Sequence, residues 1–336
     1  MNAATPELVS VVVIGRNEGE RLRLCLRSVF AMDHPGFDLE VIYVDSGSSD
    51  DSVAVATSEG ATVIALKPQH PTAAVGRNAG WRAARGSVVL FLDGDTVLHP
   101  RFVIDSLPEF SAEEVAVIWG HRRELNPNQS WYTRVLDLDW IFPIGPMPYC
   151  GGDALFRRAL LEQTGGFDDT LIGGEEPELC QRIRGLGFII LHVDRPMTGH
   201  DLGIATWRQY WRRSTRTGYA FAEVSRRFQA SSYPMWTAES LRNRNRAIIL
   251  LALPLAALAL ALILRSLFPI LALALLLAAI ILRSGWKARG KTHSPTTLLL
   301  YGIHSHLQQI AIYFGQLQYT WNRRQGARSE LVDYKD

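Results

Sequence analysis

Cysteine is scarce in this chain of 336 residues: Cys25, Cys150 and Cys180 are odd in number and far apart. Such a set builds neither a disulfide framework nor a cysteine zinc cluster, so a reducing compartment is the expectation. A surplus of charge is missing too. Lysine and arginine total 35 against 33 aspartates and glutamates, which argues against the basic face of a dedicated nucleic-acid binder; no nucleic-acid partner is expected. No secretory signal is expected either, because the first apolar run, residues 8–14, is short and is followed by Arg16 and Glu18. A lysine-bearing glycine-rich phosphate loop is also lacking. Gly15-Arg16-Asn17-Glu18-Gly19 has neither the length nor the lysine, which ranks a nucleotidyltransferase last. Residues 247–282 hold almost nothing polar, with Arg265 their one charge.

What is present begins with β-branched runs. Residues 9–14 and 39–44 read as buried strands, 62–66 and 87–92 as further strands, and the stretch around 75–84 as a helix between the last two. Asn17 is expected to open a helix carrying Leu22, Cys25, Leu26 and Val29 at helical spacing. Continuous apolar strands alternating with helices imply an α/β domain whose mostly parallel sheet is covered on both faces. Ligands of such sheets bind beyond the carboxyl ends of the strands. The polar residues collect there: Arg16-Asn17-Glu18, Asp45 to Asp50, and Asp93-Gly94-Asp95.

The second half changes character. Residues 204–228 are expected to be helical, with Trp207, Tyr210, Trp211, Tyr219 and Phe221 beside Arg208, Arg212, Arg213 and Arg216. That mixture suits a membrane–water boundary, or the solvated basic helix of a soluble protein. Residues 247–264 and 266–282 form two apolar runs that a turn at Leu267-Phe268-Pro269 folds into a transmembrane or re-entrant hairpin. Arg242, Arg244 and Arg246 precede it; Arg283, Lys287, Arg289 and Lys291 follow. Positive flanks on both sides place the catalytic half in the cytoplasm, on an inner membrane of bacterial type. Residues 298–321, with His304, His306, Gln308 and Gln309, read as a third, interfacial helix. The expected segments are a catalytic domain, 1–203; a basic aromatic segment, 204–246; the hairpin, 247–284; an amphipathic helix, 285–330; and a tail, 331–336, whose Asp333-Tyr334-Lys335-Asp336 reads as the start of an epitope tag.

Asp93-Gly94-Asp95 directly follows a core strand. Two carboxylates at alternate positions of a strand-end turn suit a hard divalent cation, Mg2+ or Mn2+. Such an ion would bridge the phosphates of a nucleotide sugar. Alone, an Asp-Gly-Asp triplet is more often an ordinary turn.

The ordered set is more specific. Asp45-Ser46-Gly47-Ser48-Ser49-Asp50, Arg77-Asn78-Ala79-Gly80, Asp93-Gly94-Asp95, Gly151-Gly152-Asp153-Ala154, Gly165-Gly166-Phe167-Asp168 and Gly174-Glu175-Glu176-Pro177-Glu178-Leu179 follow one another here. In this order and spacing the chain resembles the family-2 inverting glycosyltransferases of the GT-A fold, over roughly residues 8–200. The resemblance implies that Asp45 contacts the nucleoside base, Arg77 lies near the diphosphate, Asp93 near the ribose, and Asp95 is the principal metal ligand. It aligns His200 with a later histidine that approaches the metal or diphosphate; a loop histidine is the plainer alternative. Arg16, Asn17, Glu18, Gly152 and Asp153 join the expected nucleotide-sugar site, although local helix capping also accounts for the first three.

The family pattern usually runs glutamate–aspartate where this chain has Glu175-Glu176, and its second acid deprotonates the acceptor. Glu176 is therefore the candidate base, one carbon–carbon bond longer than usual. A helix-terminal acid stabilised by the helix dipole is the structural alternative, and both roles can coexist. An acceptor hydroxyl needs such a base, whereas a polyprenyl phosphate is already anionic. The expected reaction is inverting, non-processive transfer to a hydroxyl of a lipid-linked glycan, with polyprenyl-phosphate glycosylation as the alternative and a non-enzymatic membrane scaffold as a third reading. Gln209-Tyr210-Trp211-Arg212-Arg213 faintly resembles the Gln-x-x-Arg-Trp motif of processive synthases but lacks the final tryptophan. Glu175, Gln209, Arg212 and Arg213 are candidates for acceptor or diphosphate contacts. A UDP-sugar is the favoured donor, with GDP- and dTDP-sugars open. Sugar choice is sought in His121, Trp131, Asp137, Asp139 and Trp140.

Overall fold

The computed structural model describes residues 6–231 and 234–326; the 331–336 tail, with its tag-like residues, lies outside the described residues. The strands are β1 (Leu8–Gly15), β2 (Asp38–Asp45), β3 (Thr62–Ala65), β4 (Val88–Asp93), β5 (Thr96–Leu98), β6 (Val115–Glu124), β7 (Gly145–Met147), β8 (Ala154–Arg157) and β9 (Ile189–His200). The helices are α1 (Glu20–Phe30), α2 (Ser52–Ser58), α3 (Ala73–Ala83), α4 (Phe102–Ser106), α5 (Trp131–Asp139), α6 (Arg158–Thr164), α7 (Glu175–Gly185), α8 (Trp207–Arg227), α9 (Thr237–Leu264), α10 (Phe268–Lys287) and α11 (Pro295–Arg324). They form two compact units, one running to Leu125 and resuming over Trp140–Leu202, the other comprising Asn126–Asp139 and the chain from Gly203 on.

The first unit is built on one mixed sheet in the order β3-β2-β1-β4-β8-β6-β9-β5, with β7 on β9. Strands β3, β2, β1 and β4 run parallel, and β8 pairs antiparallel with both β4 and β6. Val9, Val11, Val12, Val13 and Ile14 are all buried, as a strand covered on both faces requires. Register decides where the acids fall. Gly15 pairs with Asp45 and Ile14 with Asp93, so the carboxyl ends of β2 and β4 flank the end of β1.

Asn17 does not open α1. The helix starts at Glu20, and Asn17 adopts φ 56°, a left-handed conformation that asparagine tolerates better than most residues. Its Oδ1 accepts from Ser49 N at 2.8 Å, while its own N–H donates to Ser48 Oγ at 2.9 Å. Tethering the loop after β1 to the loop after β2 takes the place of the expected cap.

The second unit is helical. Helix α8 opens with a capping box in which Thr206 Oγ1 accepts from Gln209 N and the Gln209 side chain accepts from Thr206 N. Helices α9 and α10 are joined by residues 265–267, with φ 49° at Arg265; of the expected turn Leu267-Phe268-Pro269, Leu267 lies in the connection and Phe268 and Pro269 begin α10. Both helices are long and apolar enough to cross a membrane, and only 11% of each apolar stretch is buried. Such exposure does not fit a core hairpin.

Helix α11, expected to be interfacial, packs against α5, α8, α9 and α10. Glycines permit this. A Cβ on Gly315 would stand 2.0 Å from Thr215 O, and one on Gly302 would stand 2.3 Å from Ile281 O. Its polar residues are satisfied inside: His304 bonds Tyr210 at 2.8 Å and Asp139 at 3.0 Å, and Tyr301 donates to Asp139 at 2.9 Å. These bonds draw residues 126–139, expected in the catalytic domain, into the second unit.

Candidate active site

Helix α3 delivers the central cation of the first unit. Its small residues Gly76 and Gly80, four apart and so on one face, lie over β1. A Cβ on Gly80 would stand 2.1 Å from Val12 Cγ1, so only glycine allows this approach. Arg77 is thereby carried into the interior with a relative exposure of 2%. Asn78 stitches the same helix to the Gly165–Asp168 loop, donating to Phe167 O at 2.8 Å and accepting from Phe167 N at 3.0 Å.

Three carboxylates surround the Arg77 guanidinium. Nη2 is 2.9 Å from Asp93 Oδ1, and Nη1 is 2.9 Å from both Glu175 Oε1 and Glu176 Oε1. Burial alone would weaken the Arg77 cation, but Glu176, Asp93 and Glu175 outweigh it and raise its pKa. Glu175 and Glu176 occupy the first turn of α7, behind Gly174 at φ 83°, where the helix dipole favours negative charge. Burial, followed by the neighbouring Glu175 charge, pushes the Glu176 carboxyl up to about 7, against the pull of Arg77.

Asp93 ends β4, and Asp95 enters β5. Pairing of Thr96 with His200 across β5 and β9 brings the histidine to the acids. His200 Nε2 is 3.2 Å from Asp95 Oδ1. One ligand atom from each of Asp93, Asp95 and His200 lies within 4.8 Å of the others. Two carboxylates and an imidazole suit a divalent cation such as Mg2+ or Mn2+. His200 Nδ1 is buried without a hydrogen bond, so the ring is held by packing rather than by a second partner. Burial opposes ionisation of Asp93, and Arg77 with Arg122 overcomes it, lowering its pKa.

Gly152 and Asp153 lie beside this cluster. A Cβ on Gly152 would come within 2.7 Å of Arg77 Nη2 and 2.8 Å of Asp93 Oδ2. Asp153 braces the end of β4, accepting from Asp93 N at 3.0 Å and from Thr198 Oγ1 at 2.8 Å. Asp45 is buried in its own turn, accepting from Tyr43 OH, Gly47 N and Ser48 N at 3.1, 3.0 and 2.9 Å, and from Ser48 Oγ. Arg16 is exposed, and Glu18 pairs with Arg21 at 3.0 Å.

The structure adds Arg122, which sequence reasoning missed, beside the expected Trp140. Arg122, on β6, is 3.5 Å from Asp93 and 3.7 Å from Asp153, with its guanidinium 4.9 Å from the Trp140 ring centre. Trp140 in turn meets His200 edge-on at 5.1 Å. Cys150 and Cys180, far apart in sequence, lie 3.6 Å apart as buried free thiols. His121 pairs instead with Asp194 at 2.8 Å. Trp131, Asp137, Asp139, Gln209, Arg212 and Arg213 belong to the second unit. There the Gln209 carbonyl is committed to capping, accepting from Ala205 N and Thr206 N at 3.0 Å each.

The profile described as glycosyl transferase family group 2 matches residues 88–286, and that of glycosyl transferase family 2 matches residues 10–165. The probable glycosyltransferase YdaM of Bacillus subtilis is 25% identical over 250 residues, 68% of this chain and 58% of that protein. Glycosyltransferase AglE of Haloferax volcanii is 25% identical over 194 residues, 55% of this chain and 64% of that protein. The chain thus spans less than two thirds of either relative. Among solved structures, the mannosyltransferase PcManGT from Pyrobaculum calidifontis, in complex with GDP-Man and Mn2+, superposes with a TM-score of 0.68. That match has 19% identity and covers 95% of this chain and 88% of that one, a likeness of fold, GT-A.

Proposed function

The chain belongs to the glycosyl transferase family group 2, whose profile covers residues 88–286, and on that premise we propose that it moves a sugar from a nucleotide-diphosphate sugar to a hydroxyl of a membrane-associated, lipid-linked glycan. Transfer is single and inverts the anomeric carbon.

One observation carries this reading. The Arg77 guanidinium is ion-paired at 2.9 Å both to Asp93, of the candidate metal cluster, and to Glu176, the candidate base. One candidate metal ligand and the candidate base thus share one buried cation. In the proposed reaction the acceptor oxygen forms a bond to the anomeric carbon as the bond to the diphosphate breaks. The acceptor proton passes to Glu176, and the nucleoside diphosphate leaves. A divalent cation held by Asp93, Asp95 and His200, Mg2+ or Mn2+, would offset the charge growing on that diphosphate. Arg77 and Arg122 both lie beside Asp93 and add positive charge there. Gly152 leaves space for the Arg77–Asp93 pair, and Asp45 shapes the loop proposed to receive the nucleoside, with Arg16, Asn17 and Glu18 on its neighbour.

The exposure of α9 and α10 supports membrane attachment. The 28 residues of α9 extend about 42 Å and the 20 of α10 about 30 Å, against a hydrocarbon layer of about 30 Å.

The experiment supplies UDP-, GDP- and dTDP-sugars with Mn2+ to the full chain, offering lipid-linked sugar or polyprenyl phosphate as acceptor. GDP-Man belongs in the screen because the structurally similar PcManGT holds it. Transfer to the lipid-linked sugar, with an inverted anomeric centre by NMR, is expected. Transfer to polyprenyl phosphate alone would replace the hydroxyl-acceptor reading, and a retained configuration would overturn the in-line mechanism.

A further inference from the structure

A notch of about 380 Å³ lies between α8, α9 and α11 in the second unit. Each helix contributes an arginine, Arg226, Arg323 and Arg244 lining it with Gln229, Thr237 and Tyr319. No aspartate or glutamate lines it. Of the acids on the same helices, Glu223 pairs with Arg227 at 3.3 Å and Glu239 with Arg242 at 3.2 Å. Among the described residues, none of the three lining arginines has an ion-pair partner. The walls are braced, since Gln316 Nε2 donates to Ser240 O at 3.0 Å and joins α11 to α9. Arg226, Arg244 and Arg323 are exposed and line one braced space with no carboxylate among its lining residues, and their forked donors match a phosphate.

We propose that this notch binds the phosphate of an anionic phospholipid headgroup. The lipid source follows from its position and rests on the reading that α9 enters a membrane. Arg244 precedes the apolar stretch beginning at Ala247 by three residues, about 4.5 Å along the helix. The headgroup layer is about 5–7 Å deep. Arg244 therefore stands at phosphate depth when α9 spans the bilayer.

Thermal unfolding of the full chain in neutral detergent tests this, with short-chain phosphatidylglycerol, phosphatidylcholine of the same chain length, or inorganic phosphate added. Phosphatidylglycerol should raise Tm saturably by about 3 °C or more in the unsubstituted protein. The R226Q/R244Q/R323Q variant should lose at least half of that rise. R246Q/R283Q/R289Q, which removes equal charge outside the notch, should keep it. An equal response from the notch variant overturns the proposal, as does a full response to phosphatidylcholine or to inorganic phosphate. Should the triple variant not fold, R226Q and R323Q singly should each raise the half-saturating lipid concentration several-fold; no change in either overturns the site. Flotation on phosphatidylcholine vesicles reports the apolar hairpin alone, so failure of the membrane reading appears there and leaves the detergent result to judge the notch.

Discussion

Arg77 Nη1 stands 2.9 Å from Glu176 Oε1, and the guanidinium that holds this carboxylate is only 2% exposed. The proposed base is thus fixed in position before any substrate arrives. Its charge state is set by opposing effects: burial and Glu175 favour the proton, and Arg77 favours the anion.

That balance gives a pH dependence. A base works deprotonated, so kcat should rise with pH through about 7, where burial has pushed Glu176. Glu176→Gln should lower kcat by 100-fold or more while leaving nucleotide-sugar affinity within about twofold; lost affinity would assign Glu176 a structural role. Stability follows the opposite course. A carboxyl whose folded pKa is raised contributes stability that is present at acid pH and lost as pH climbs through about 7. Thermal unfolding of Glu176→Gln should therefore gain on the unsubstituted protein between pH 5 and 8.

Removing Arg77 should cost far more. Arg77→Met leaves Asp93, Glu175 and Glu176 crowded without their cation, a loss of about 3–5 kcal/mol measurable by urea unfolding. The deficit should shrink at acid pH, where the carboxylates take up protons. Arg77→Lys should recover only part, because a single ammonium cannot reach the partners that Nη1 and Nη2 hold separately. A fully stable methionine variant would contradict the geometry.

Gly80→Ala improves helix propensity by about 1 kcal/mol, yet its Cβ would stand 2.1 Å from Val12 Cγ1. Overpacking of this kind costs about 1–3 kcal/mol, so a net loss of stability is expected. Activity should fall too, because α3 carries Arg77. Val12→Ala in the same chain should restore much of both; no restoration would place the effect elsewhere.

Deleting residues 247–282 should release the protein from vesicles, since α9 and α10 supply its long exposed apolar surface. Salt-resistant pelleting of the deletion variant would count against the hairpin as anchor.

The first sheet strands were legible because β1, β2 and β4 carry continuous apolar runs. The sheet beyond β4 was not. Strand β6 meets β9 through register shifts at Val115/Val117, Trp119/His121 and His121/Arg122, so which of its side chains face the site depends on the pairing. Arg122 was overlooked for that reason, since only its strand brings it to Asp93. Asn17 misled because its residue type suits both a cap and a left-handed turn, and only the partner loop decides. Cys150 and Cys180 looked unrelated until the chain between them folded back. In α11 the burial of His304 was not legible because its partners, Asp139 and Tyr210, are remote in sequence. The Asp93, Asp95, Glu176 and Arg77 positions, by contrast, were marked by an ordered set of motifs, and the fold brings all four into one cluster with His200.

Calorimetric titration of Mn2+ with UDP or GDP tests the cation site most directly, comparing the unsubstituted protein with Asp95→Asn and Glu176→Gln. Mn2+-dependent nucleotide binding should weaken at least tenfold in Asp95→Asn and persist in Glu176→Gln. Unchanged Mn2+-dependent affinity in Asp95→Asn would contradict the assignment of Asp93, Asp95 and His200 to the metal.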